Sequence, residues 1–405
     1  MLRMLTGNIL DRTEKDMAEW TKRRIGDMCR TNANSYSPKE GWTFVNYLDT
    51  GNITKNVIDE IQFINLCNEK LPSRAKRRVQ QNSVLYSTVR PNQLHYGIVK
   101  TQPENFLVST GFAVLDANPQ QLDPDYLYYL LSSKDIVEGL HAIAEQSVSA
   151  YPSIKASDIE NLEVCIPDLD TQKKITAILM SIDEKIRVKT TINKNLFQQA
   201  QALYKDRFID LAPYDGTLPA DWRTGTVSEI IQLHDSKRIP LSSRERADLA
   251  KIYPYYGATS IMDYVDRYLF DGIYLLLGED GTVVDDKGFP ILQYVEGKFW
   301  VNNHAHIISG KNGFSVELLY LLFSLTNVQS IVTGAVQPKI SQANLNRVSV
   351  IIPSQEELQA FDSTIQPIFA EIRNLRAENE RLAATRDALL PKLMSGEIDV
   401  SDLSI

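Results

Sequence analysis

The sequence predicts an α+β protein: two mixed α/β modules joined by two long antiparallel coiled-coil helices, with internal pseudo-two-fold symmetry. Three observations predict it. The second half of the 405-residue chain is a diverged copy of the first. Each copy ends in a strand-like run closed by proline, Leu162 to Pro167 and Val348 to Pro353. Directly after each proline the apolar period changes from two residues to three and a half, the mark of a paired helix.

The repeat is read from matched residues. At an offset of 202, Ala18, Glu19 and Trp20 fall on Ala220, Asp221 and Trp222, and Ile25 and Met28 on Val227 and Ile230. At 192, Leu127, Tyr128 and Leu130 fall on Leu319, Tyr320 and Leu322. At 186, Ile154, Ile159, Leu162, Val164, Ile166 and Pro167 meet Ile340, Leu345, Val348, Val350, Ile352 and Pro353. The shrinking offset says that the second copy has lost loop residues and kept its core pattern. A repeat of half the chain is far too long for a solenoid unit.

In chain order, Ser83 to Val89 and Asn105 to Leu115 read as β-type runs between polar loops. A helix follows, with Asp123 as N-cap, Pro124 at its first position and Leu127, Leu130 and Leu131 on its apolar face; Ser315 caps the second copy. Proline cannot donate to a sheet ladder, so the strands stop at Pro167 and Pro353. In the first long helix the pairing positions are Ile175, Leu179, Ile182, Ile186, Lys189, Asn193, Leu196, Ala200 and Leu203. In the second they are Phe361, Ile365, Ile368, Ile372, Leu375, Asn379, Leu382, Leu389 and Leu393. Each seam must be buried, and the other helix is the nearest partner. The equivalent Asn193 and Asn379 sit at core positions, where a polar residue fixes register at a cost in stability. Ser354 with Glu357 forms a capping box, Gly396 suits a C-terminal cap, and Pro367 and Pro391 predict a kink or break. The segments expected are 1–166, 167–212, 213–352 and 353–405.

A hydrophobic fraction of 43% suits two ordinary domains. Cys29, Cys67 and Cys165 lie far apart, which fits a reducing cytoplasm and argues against a disulfide framework or a thiolate zinc site. The N-terminus, with Arg3, Asp11 and Arg12, lacks the pattern of a signal peptide, and no apolar run is long enough to span a membrane. A net charge of −8 weighs against strong independent binding of nucleic acid, since phosphate contacts need cations. Local basic clusters run the other way: Lys22-Arg23-Arg24, then Arg74 with Lys76, Arg77 and Arg78, and Lys237-Arg238 with Arg244 and Arg246. Each also fits a solvated face.

Catalytic motifs are few. Gly310-Lys311-Asn312 lacks the spacing of a phosphate loop, and no glycine-rich dinucleotide turn follows a strand. Asp123-Pro124-Asp125-Tyr126 loosely resembles the Asp-Pro-Pro-Tyr of adenine methyltransferases, but capping explains it. Asp271, Asp285, Asp286 and Lys287 can be read as the acidic pair and lysine of a divalent-metal-dependent endonuclease, against which Gly278-Glu279-Asp280-Gly281 and Gly288 suggest turns. His304 and His306 share one side of a strand, but two ligands do not make a zinc site.

The arrangement of module, helix, module, helix resembles the specificity subunit of type I restriction-modification enzymes over essentially the whole chain. Ser87-Thr88-Val89-Arg90-Pro91 and Ser109 to Leu115 carry the likeness in the first module. In the second it is carried by Leu277 to Gly281, Trp300 to His306 and Gln337-Pro338-Lys339-Ile340. The resemblance implies a non-catalytic, cytoplasmic chain in which each module is a target-recognition domain reading one half of a bipartite site in double-stranded DNA. The helices act as the spacer between half-sites. It implies no cofactor on this chain: two methyltransferase subunits would bring S-adenosylmethionine, and restriction and translocase subunits ATP with magnesium. A helix of about 30 to 35 residues is about 45 to 50 Å long, on the order of one turn of DNA after tilt and overlap. The contacts expected from the resemblance are Lys76, Arg77, Arg78, Arg90, His95, Tyr96 and Tyr151 in the first module. Lys237, Arg238, His304, Gln337 and Lys339 are their counterparts in the second, with Arg90 suited to guanine or phosphate and Gln337 to adenine. A scaffold that binds only proteins is the remaining alternative.

Overall fold

The computed structural model describes residues 20–147, 151–334 and 336–403; Ala18 and Glu19 of the repeat, and Arg3, Asp11 and Arg12, lie outside them. The chain divides into two compact units, Met1–Arg187 with Glu380–Ile405, and Val188–Asn379.

In the first unit, strand Thr21–Arg24 pairs antiparallel with Glu163–Ile166, Thr21 opposite Ile166. Between them in sequence lie two four-stranded sheets. One runs in the order Cys29–Thr31, Phe112–Ala117, Val84–Ser87, Tyr96–Ile98. The other runs Gln62–Asn65, Phe44–Leu48, Phe106–Ser109, Ala75–Arg78. Side chains alternate across a strand, so Val84 and Tyr86 join a core with helix Pro124–Ser132, while Leu85 joins a second core with Leu48 and Val108. Both faces of the Val84–Ser87 strand are thereby buried, and all four of its residues are inaccessible. The helix starts as predicted: the Asp123 carboxylate accepts from the Tyr126 amide at 2.9 Å, with Pro124 in the first turn.

The second unit repeats the core of this plan. Arg223–Thr226 pairs with Ser349–Ile352, and Arg223 lies opposite Ile352, the register of Thr21 opposite Ile166. Its six-stranded sheet begins Ile231–Leu233, Ala305–Gly310, Phe270–Gly278, Leu292–Val301, matching the first sheet of the other unit in order. It then continues into Tyr253–Tyr256 and Ile261–Val265 through a parallel step that sets Tyr255 beside Trp300. Helix Val316–Ser324 is capped by Ser315, whose hydroxyl accepts from the Leu318 amide at 3.1 Å.

Each strand-closing proline leads into a long helix, Leu169–Tyr204 and Gln355–Met394. Within each unit the helix segments run antiparallel. In the first, Arg386 pairs with Asp183 at 2.8 Å and the Lys174 ammonium donates to the Ser401 carbonyl at 2.8 Å. In the second, Lys189 pairs with Glu378 and the Asn379 amide donates to Thr190 at 3.1 Å, while Arg207 pairs with Glu357. Ile175, Leu179 and Ile182 are buried, as are Phe361, Ile365, Ile372 and Leu375. Ile186, Asn193, Leu196, Ile368, Asn379, Leu382 and Leu389 are half-buried.

Three expectations about the helices need correction. Leu203 is 43% exposed; beyond the expected Ala200, which is buried, Tyr204 and Phe208 carry the seam. The last turns still meet the second helix, Tyr204 and Phe208 packing on Phe361, but a straight helix drifts away from a strict seven-residue frame. Pro367 and Pro391 do not break the second helix. Proline in a helix interior costs about 3 kcal/mol, and full burial of Ile365 and Phe369 on either side of Pro367 offsets it. Of the capping box, only the Ser354 half forms, accepting from the Glu357 amide; the Glu357 side chain turns instead to Arg207 and to the Tyr214 hydroxyl. Gly396, at φ +67°, follows the helix end as expected. Among the described residues no helix is long and apolar enough to cross a membrane.

Candidate nucleic-acid interface

One backbone corner occurs in both units with the same hydrogen bonds. In the first, the Arg90 amide donates to the Pro152 carbonyl at 2.9 Å, the Ile154 amide to Thr88 at 2.8 Å, and the Thr88 amide to Gly111 at 2.8 Å. In the second, Gly281 donates to Pro338 at 3.0 Å, Ile340 to Glu279 at 2.9 Å, and Glu279 to His304 at 2.8 Å. Bridges between Val89 and Ser153 and between Asp280 and Lys339 complete the match. Arg90 and Gly281 both take left-handed backbone, φ +47° and +85°. Glycine adopts that conformation freely, whereas an arginine there is held by its surroundings.

The corners carry different side chains. At the first, the Arg90 guanidinium lies 5.0 Å from the centre of the Tyr151 ring, a cation–π contact on the exposed surface. Arg90 has no carboxylate partner among the described residues. At the second, the corresponding places hold Gly281 and the exposed Gln337, and Lys339 nearby pairs with Glu279 at 3.2 Å. His304 contacts Asp280.

A buried polar network stands under the second corner. Asp235 accepts from the His306 ring at 2.6 Å, the Ile307 amide at 2.9 Å and the Gln342 amide at 2.5 Å. The other His306 nitrogen faces the Ile340 carbonyl at 2.8 Å. Both nitrogens thus face acceptors, and a ring that satisfies both donates from both. Arg238 reaches Glu279 at 2.6 Å and the Ala305 carbonyl at 2.8 Å. Burial alone would raise the Asp235 and Glu279 carboxyls. Hydrogen bonds and charge from His306 and Arg238 reverse this and hold both below the ordinary carboxylate range. Asp235, Glu279 and His306 have the spacing of metal ligands, but Arg238 already pairs with both carboxylates.

The other expected contacts are scattered. Lys76, Arg77 and Arg78 line an edge strand, where Lys76 is exposed and Arg78 is held by Glu40 at 2.5 Å and by the Trp42 ring. The Arg77 Nε has no hydrogen-bond partner among the described residues, and burial lowers the guanidinium's pKa. Lys237 is exposed. His95 bonds the Ile53 carbonyl at 2.6 Å and so pins a hairpin. Tyr96 is only 7% exposed and stacks on Tyr86, so its role is packing, and burial pushes its phenol up to about 12. Arg238 is likewise spent on structure. The acidic cluster proposed for metal does not assemble. Asp271 sits near the start of strand Phe270–Gly278 and Asp285 beyond its end, on the order of 20 Å away at the usual rise. The Asp285 carboxylate caps its own turn, accepting from the Lys287 and Phe289 amides at 2.9 Å.

Sequence reasoning missed Asp235 and Gln342, which have no motif and gain meaning only through distant partners. It also missed that Tyr151 and Gln337 occupy one equivalent place, although the shared Pro152 and Pro338 at the offset of 186 signal it.

Residues 17–198 and 219–383 match the family model described as the type I restriction modification DNA specificity domain, once in each half. The chain belongs to this family. Among its relatives is the type I restriction enzyme HindI specificity subunit of Haemophilus influenzae, 24% identical over 94% of this chain and all of the relative. The MjaIX specificity subunit of Methanocaldococcus jannaschii is 28% identical over 69% of this chain and 70% of the relative. A solved S subunit of a type I restriction-modification system from M. genitalium shares the fold, with a TM-score of 0.53, 18% identity, and coverage of 95% of this chain and 98% of that one. The two matched stretches of the specificity-domain family each contain one of the corners.

Proposed function

We propose that this chain is the non-catalytic DNA specificity subunit of a type I restriction-modification enzyme, reading an asymmetric bipartite target in double-stranded DNA. Residues 1–166 and 213–352 are the reading domains, and 167–212 and 353–405 the spacer helices and tail. The observation that carries this reading is the corner repeated in both units with unlike side chains, Arg90 and Tyr151 in one, Gly281 and Gln337 in the other. Identical backbone positions two reading heads alike; unlike side chains give them different bases to prefer. Arg90 offers a two-point donor for guanine, Gln337 a donor and acceptor for adenine. Lys76 and Lys237 suit phosphates.

Two methyltransferase subunits and the restriction and translocase subunits would dock on the helices and carry S-adenosylmethionine, ATP and magnesium. The enzyme would work in the cytoplasm. The test is to map methylated adenines in cells carrying this chain with its methyltransferase. Arg90→Ala is expected to relax only the first half-site, and Gln337→Ala only the second, with a loss of about 1–3 kcal/mol of discrimination each. Unchanged half-sites in both variants would remove the corners from the reading surface.

A further inference from the structure

A cavity of about 970 Å³ opens within the first unit. Leu94, Tyr96, Tyr128, Ile136, Leu390 and Met394 supply its apolar wall. Asp183 and Arg386 also line it, paired at 2.8 Å, with the Tyr129 hydroxyl donating to Asp183 at 2.6 Å.

The internal repeat accounts for the space. At the offset that relates the two long helices, Asp183, Ala383, Leu390 and Met394 stand where the second unit has Phe369, Phe197, Tyr204 and Phe208. Those four rings fill the second unit. Phe197 stacks face to face on Tyr320 at 4.5 Å, Phe369 packs on Tyr294 at 5.5 Å, and Tyr204 meets Phe208 at 4.9 Å. Tyr320 is the counterpart of Tyr128. In the first unit Tyr128 has only edge-on neighbours among the described residues, Tyr96 at 6.3 Å and Tyr129 at 5.0 Å. The partner that covers the face of Tyr320 is therefore missing over Tyr128, because an alanine stands in its place.

We propose that this cavity binds a small, planar, uncharged aromatic molecule, whose ring stacks on Tyr128 beside Leu390 and Met394, where the second unit has Tyr204 and Phe208. The volume falls within the range of small-molecule sites, which are apolar with a few placed polar groups. The charged lining residues neutralise one another: Lys22 with Glu163, Lys134 with Glu138, Lys392 with Glu397, and Asp183 with Arg386. Lys55 and Asp135 also line it, one of each sign, so the wall as a whole offers little net charge to an ionic ligand. The gain comes from stacking and from displacing weakly held water by an apolar ring. The inference does not depend on how the chain reads DNA.

Indole is the probe. Titrated into the full chain and followed by calorimetry and saturation-transfer NMR, it is expected to occupy one saturable site. Leu390→Tyr and Met394→Phe set on the cavity wall the rings that Tyr204 and Phe208 supply in the second unit, and each is expected to weaken indole at least about tenfold, the loss of about 1.4 kcal/mol. Both variants are expected to melt at or above the wild-type temperature, which separates a filled cavity from a damaged fold. Should one variant unfold, the other decides. Indole that fails to saturate the wild type, or binds both folded variants undiminished, overturns the proposal.

Discussion

Replacing Asp235 by asparagine removes the charge on which the second corner hangs while keeping the volume of the side chain. The carboxylate is 3% exposed and accepts from His306, the Ile307 amide and Gln342, with Arg238 at 3.5 Å. An asparagine turns one acceptor into a donor facing other donors. Charge-assisted bonds contribute about 1.5–3 kcal/mol each but not additively, and removing one member of a buried ionic pair costs about 3–5 kcal/mol. The expected loss for Asp235→Asn is about 3–4 kcal/mol, roughly 10 °C for a unit of this size. Trp222 and Trp300, 6% and 3% exposed, report it by fluorescence during thermal or urea unfolding. The pH dependence has a definite sign. The folded Asp235 carboxyl is held below its ordinary value, so its contribution is complete above the unfolded value of about 3.9 and is lost as pH falls through the lower folded one. The gap between wild type and variant is therefore full at pH 7 and closes in acid, where protonated Asp235 resembles asparagine. A loss under about 1 kcal/mol at pH 7, or a gap that persists undiminished in acid, would refute the reasoning.

Removing one heptad from each long helix takes about 10 Å from both, and is expected to shorten the preferred DNA spacer by about 3 base pairs in a methylation map; an unchanged spacer would defeat the ruler role. Leu203→Ala is expected to change unfolding free energy by less than about 0.5 kcal/mol, whereas Tyr204→Ala, one residue on, costs about 3–5 kcal/mol in the same urea titration.

The duplication made most of the fold legible. Matching Trp20 to Trp222 and Pro167 to Pro353 already places Thr21 opposite Ile166 if Arg223 lies opposite Ile352, and the strands pair in that register. Asp123 and Ser315 announced their caps because capping is a local transaction over three residues. Leu203 misled because a straight helix drifts out of a strict seven-residue frame, so that Tyr204 and Phe208 meet Phe361 in its place. The nuclease reading of Asp271 and Asp285 failed for a related reason: nearness in sequence becomes distance when a nine-residue strand lies between. Arg238 and Tyr96 carry ligand-like chemistry, yet burial and partners consume it. Nothing in a sequence separates an arginine facing solvent from one facing Glu279.

The same distinction bears on affinity. The chain has a net charge of −8, and at the second corner Glu279 engages Arg238 and Lys339, while Asp280 engages His304. Carboxylates occupy the cations that phosphate would need, so this corner gains little from counterion release. The first corner differs, with Arg90 set against an aromatic face and Lys76 exposed on a nearby strand. In the proposed role the two heads therefore share the work unequally. The first supplies more of the salt-dependent attraction. The second discriminates through groups such as Gln337, whose hydrogen bonds cost little when salt rises. With a net charge of −8, the proposed role assigns part of the electrostatic attraction to partner subunits.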